Sequence, residues 1–137
     1  MNTSRVIAGG LTAGLVLNIG EAVLHGVVLA EPTAAALNSL GREAAGSALG
    51  LVSLVAVTFA QGLVGMWIYA GRRARGTSAA AITGLALWVL SALYSGIYFH
   101  AGFPGALPND VVWWPVAWGL VEYPLALVAG AAMYREH

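Results

Sequence analysis

Residues 48–71 read ALGLVSLVAVTFAQGLVGMWIYAG, an apolar run without one charged side chain. At about 1.5 Å of rise per residue a helix of this length reaches roughly 35 Å, enough to cross a hydrocarbon core of about 30 Å with some tilt. Three similar runs follow from the same reading, at 6–29, 79–101 and 111–134. In lipid every backbone N–H and C=O must be bonded within its own segment, which only a helix or a closed barrel achieves, and spans this long and this few do not make a barrel. The expected fold class is all-α, an integral membrane four-helix bundle forming a single transmembrane domain over residues 1–137.

Composition agrees. Hydrophobic residues make up 59% of the chain and charged residues 9%, against roughly 45–50% and about 25% in soluble domains. Six basic residues, all arginine, balance six acids, so no basic stripe is present to neutralise phosphates and nucleic acid is not an expected partner. The chain has no cysteine, which removes disulfides, thiolate metal sites and thiol catalysis together.

Arginine placement gives an orientation. With the N-terminus cytoplasmic, Arg5, Arg72, Arg73, Arg75 and Arg135 lie inside, and Arg42 lies outside beside Glu31, Glu43 and Asp110. That asymmetry puts both termini in the cytoplasm. Trp67, Tyr69, Tyr98, Phe99, Trp113, Trp114 and Tyr134 fall near span ends, where interfacial aromatic belts are expected. Val28-Leu29-Ala30 resembles a signal-peptide end, but the preceding run is too long for a signal h-region and carries Asn18, Glu21 and His25, so it is read as a true span. The outer segment 30–47 is expected to hold a short surface helix, starting at Glu31-Pro32-Thr33, stopping at Gly41 and laying its leucines on the membrane. Residues 102–110 read as irregular loop, and the tight connection 72–78 makes spans two and three an antiparallel hairpin. Small-xxx-small pairs at Gly10 and Gly14 and at Gly46 and Gly50 permit close helix approach. No internal repeat is evident, because Asn18 and Glu21 have no counterparts in span three.

The residues that carry chemistry are the polar ones inside the spans, since ionisable groups there are costly and mark function by default. Asn18, Gln61 and Glu122 fall at about the same depth, with Glu21 about 5 Å and His25 about 11 Å further outward at 1.5 Å per residue. Gly14, Asn18, Glu21 and His25 are spaced four, three and four apart and share one helical face. That face must meet the bundle, a water-filled cavity or a partner. Pro124 frees the carbonyl of Leu120 and Pro115 that of Val111, which places unpaired acceptors near Glu122. The competing structural reading is that a carboxylic acid in its neutral form donates a hydrogen bond to Asn18, Gln61 or a freed carbonyl and fixes helix register.

His25 is the best candidate for a metal ligand. A haem held between His25 and His100 is disfavoured, because His100 points some 160° away from Tyr98, the end of the Ser91, Ser95 and Tyr98 stripe, at about 100° per residue. A di-iron site is disfavoured because Glu21 and His25 stand at i, i+4 and occur once, whereas that motif needs paired Glu-x-x-His. HExxH, GxSxG, phosphate-binding glycine loops and EF-hand patterns are absent from the sequence.

The stretch Gly20-Glu21-Ala22-Val23-Leu24-His25-Gly26-Val27-Val28-Leu29, followed by Ala35-Ala36-Leu37-Asn38-Ser39-Leu40-Gly41, resembles a class of small four-span bacterial membrane proteins of unassigned activity. The resemblance implies four spans and a bacterial inner membrane, and brings no site residues with it. Four functions stay open. The first is a structural or accessory membrane component, in contact with the lipid bilayer and assembled as a homo-oligomer or within a larger complex, with Asn18, Glu21, Gln61 and Glu122 as helix glue. The second is a small transporter or ligand-binding protein using Glu21 and Glu122 for a proton, cation or amphipathic molecule. Small multidrug exporters are a distant analogy for it. The third is an enzyme using the acid pair and histidine for proton transfer, and the fourth a haem- or metal-binding membrane protein acting through His25.

Overall fold

The structure, a computed structural model, describes residues 2–41 and 47–134. Arg42, Glu43, Gly46 and Arg135, used above, lie outside the described residues. The described residues form α1 (Thr3–Val23), a π-helical turn (Leu24–Val28), α2 (Ala30–Ser39), α3 (Ala48–Gly71), α4 (Thr77–Trp88), a second π-helical turn (Val89–Leu93), α5 (Tyr94–Gly102) and α6 (Asn109–Met133). Four continuous helices are long and apolar enough to cross a membrane: Thr3–Val28, Ala48–Gly71, Thr77–Gly102 and Asn109–Met133. The second coincides with the expected run, and the others differ from theirs by one to three residues at the ends. Helix caps explain the starts: Asn2 Oδ1 accepts from Arg5 N at 3.2 Å, and Ser47 Oγ accepts from Gly50 N at 3.0 Å.

The helices pack as neighbours in the order α3, α1, α6, α4, with α1 and α6 in the middle. Missing side chains set the closest crossing. A Cβ added at Gly10 would stand 2.7 Å from Leu63 Cα, and one at Gly14 2.9 Å from Phe59 Cα. One at Gly62 would stand 2.5 Å from Gly14 N. Gly10 and Gly14 thus form a true contact face, while Gly50 meets only Ser47 Oγ of its own cap. Gly9 stands against Gly130 in the same way, so both of these neighbours of α1 run antiparallel to it. The core is small and central, built from Ala13, Leu17, Met66, Ala80, Ala126, Leu127 and the residues around them.

The hairpin between spans two and three needs amendment. Gly76, at φ 99°, turns the chain tightly, and Arg72 reaches over to Ala79 O at 3.1 Å and Thr83 Oγ1 at 3.0 Å. Beyond that end α3 leans mainly on α1 and α4 mainly on α6. No residue of 48–57 is buried, so the half of α3 near α2 stands apart from the core.

Two belt residues also belong elsewhere. Tyr69 and Tyr134 are buried, at 4% and 7% exposure, and meet edge to face at 6.0 Å. Arg75 lies over both rings, 5.9 and 5.7 Å from their centroids, and donates to Tyr69 O at 2.9 Å. Tyr69 OH accepts from Gly76 N at 3.0 Å. The end of the bundle that holds Arg5, Arg72, Arg73 and Arg75 is therefore latched, with Asn2 N donating to Tyr134 OH at 3.4 Å.

The surface helix starts earlier than expected, at Ala30, with Pro32 in its first turn, where a missing N–H costs nothing. Thr33 makes no cap, and its hydroxyl is buried without a partner among the described residues. Ala36 faces the bundle, Leu37 is half-buried, and Gly41, at φ 67°, supplies the stop.

Candidate functional site

The polar residues of the spans gather where α1 passes α6. Glu122, near the middle of α6, is 6% exposed and lays its carboxyl across Gly20 of α1, close enough that any side chain at Gly20 would displace it. Glycine here is what admits the carboxyl to the helix interface. Glu122 is level with Gly20, slightly outward of Asn18.

Glu21 follows Gly20 on α1 and holds His25 one turn further out, with Nε2 to Oε2 at 3.1 Å. Both side chains are partly open, His25 at 49% and Glu21 at 38% exposure. His25 belongs to the first π-helical turn, in which Leu29 N donates to Leu24 O at 2.7 Å, five residues back. Such turns insert a residue into a helix and recur at functional sites. Glu21 and His25 are both within electrostatic reach of Glu122. The structure thus brings Glu21 to His25, with Glu122 within electrostatic reach of both.

Gln61 and Asn18 are used differently. Gln61 Oε1 accepts from Tyr123 OH at 3.2 Å, and Asn18 Nδ2 donates to Gly14 O of its own helix at 2.8 Å. Neither is hydrogen-bonded to Glu122. Both Glu122 oxygens are buried without a hydrogen-bond partner among the described residues. Trp118 Nε1, one turn away on α6, lies within hydrogen-bonding reach of the carboxyl without meeting bonding geometry, and is likewise buried without a partner among the described residues.

A groove of about 540 Å³ opens beside this carboxyl on the outer side of the α1–α6 pair. Val16, Ile19, Gly20 and Val23 form one wall, and Trp114, Trp118, Val121 and Leu125 the other, with Glu122 between them. Its rim faces outward, since Ile19, Trp114, Val121 and Leu125 are all exposed. In a bilayer this rim meets lipid.

Two participants, Tyr123 and Trp88, were not singled out in the sequence. Tyr123 is the partner of Gln61. Trp88 Nε1 donates to Val116 O at 2.8 Å and ties α4 to α6. Trp118 is the second unpaired group beside Glu122. The sequence itself shows Trp118 one turn from Glu122. His100 lies against the Trp113 ring at 5.4 Å, apart from His25. Among the described residues no group of three or more His, Asp or Glu is placed to hold a metal ion. Comparison with protein-family models, curated proteins and solved structures finds no match to this chain.

Proposed function

We propose that this chain is a small multi-pass membrane protein that binds an amphipathic molecule from the bilayer, the apolar part in the α1–α6 groove and the polar head on Glu122. The observation that carries the reading is the Glu122 carboxyl, buried and without a hydrogen bond at the edge of an apolar groove. A buried polar group left unpaired costs about 1–3 kcal/mol, which a structural role does not repay. The glue reading needs Glu122 to bond Asn18, Gln61 or a freed carbonyl, and it has no such bond. Glu21 and His25 supply a second titratable pair outward of the head position. With the arginine bias, the reading places both termini in the cytoplasm and the protein in a bacterial inner membrane.

The accessory-component reading is the second one, supported by Tyr123–Gln61 and Trp88–Val116, which bond helices to each other. Assembly as a homo-oligomer or within a larger complex fits either reading. Saturable binding of a panel of long-chain amphiphiles separates them. Glu122→Leu is expected to weaken it about ten-fold or more while Gln61→Leu keeps it, and a folded protein that binds none of the panel refutes the proposal.

A further inference from the structure

The two unpaired groups in the groove differ in kind. A carboxyl group keeps an acceptor oxygen in either protonation state and an indole N–H only donates, so Glu122 and Trp118 together ask for a group that both donates and accepts. An ammonium only donates and would leave Trp118 Nε1 unpaired, and a ketone or ester only accepts and would leave an acceptor oxygen of Glu122 unpaired in either protonation state. A hydroxyl has one donor and two acceptor lone pairs on a single atom. It can accept from Trp118 and donate to Glu122 at once. The groove volume of about 540 Å³ lies within the range of roughly 300–1,000 Å³ of small-molecule sites. Its remaining walls are aliphatic apart from Trp114.

We infer that the groove selects a lipid-soluble alcohol or phenol, its hydroxyl bridging Trp118 Nε1 and the Glu122 carboxyl and its apolar body lying between α1 and α6. This rests on the proposed binding function and adds the head-group class. Entry is lateral, from the bilayer, because the rim residues are exposed along the sides of the helices rather than at their ends.

The test uses the full chain in phosphatidylcholine nanodiscs, with tryptophan fluorescence quenched by 12-bromododecanol, 12-bromododecylamine, a bromododecyl methyl ketone and bromododecane. Saturable quenching by the alcohol is expected, at least about ten-fold tighter than by the others, the scale of one or two hydrogen bonds. Trp118→Phe keeps the shape, removes the donor and leaves Trp114 to report. It is expected to weaken the alcohol about two- to ten-fold. Glu122→Gln, whose carbonyl still accepts, is expected to hold affinity within about three-fold, and Glu122→Leu to lose about ten-fold or more. Displacement by farnesol or by dioleoylglycerol identifies a single-chain alcohol or a two-chain lipid as the source of the hydroxyl, and either supports the inference. Tighter binding of the amine, lost in Glu122→Gln, or equal binding of the ketone overturns the hydroxyl while the binding function stands. Equal, unsaturable quenching by all four probes means that ordinary lipid fills the groove and overturns both.

Discussion

Adding one methyl group at Gly62 tests whether α1 and α3 meet where the glycines place them. The Cβ of Gly62→Ala would stand 2.5 Å from Gly14 N and 2.8 Å from Gly14 Cα, about 1 Å inside an ordinary contact of roughly 3.5 Å. Both obstructing atoms are backbone, so no side chain can swing away and the helices must part. Overpacking of this kind costs about 1–3 kcal/mol. Gly26→Ala is the control, since nothing lies within 4 Å of its Cβ position, and surface changes of this sort stay within about 0.5 kcal/mol. The assay is reversible unfolding in mild detergent titrated with dodecyl sulfate, followed by tryptophan fluorescence. Gly62→Ala is expected to lower the unfolding free energy by about 1–3 kcal/mol relative to Gly26→Ala. Equal effects of the two substitutions would refute the α1–α3 crossing.

Two further predictions use the same assay. Tyr123→Phe removes the hydroxyl that Gln61 accepts from, and intramembrane hydrogen bonds of this type average about 0.6 kcal/mol, so a loss of about 0.5–1.5 kcal/mol is expected. A loss absent in Gln61→Leu/Tyr123→Phe beyond either single change would show the two coupled, whereas simple additivity would count against the bond. Arg75→Ala removes a cation from two aromatic rings and a donor from Tyr69 O. It should cost about 1–2 kcal/mol and speed limited proteolysis at the 72–76 connection. An unchanged cleavage rate would show that the latch does not hold that end closed.

The spans were legible because they depend on local composition. An uncharged run such as Ala48–Gly71 admits few structures in lipid, and its bounds follow from Ser47 as a cap and the arginines after Gly71. The Glu21–His25 pair was legible for the same reason, since i, i+4 spacing on one helix fixes proximity. Partners across helices were not. Whether Gln61 meets Glu122 or Tyr123 depends on the rotation of two helices about their axes. A shift of one residue, about 100°, reassigns every contact. The π-helical turns at Leu24–Val28 and Val89–Leu93 add such shifts without a proline or charge to mark them. Tyr69 and Tyr134 were read as interfacial because they fall at span ends. Depth alone does not distinguish a tyrosine facing headgroups from one facing another tyrosine across the bundle.

The central claim is that Glu122 is kept for a ligand and not for packing, and the stability of the ligand-free Glu122→Leu protein measures this most directly. Leucine has nearly the shape of glutamate without its polar atoms, and it relieves a buried group that has no partner among the described residues. The account predicts that Glu122→Leu unfolds about 1–3 kcal/mol less readily than the unaltered chain. A variant destabilised by a similar amount would show that the carboxyl holds the helices together, and would contradict the account.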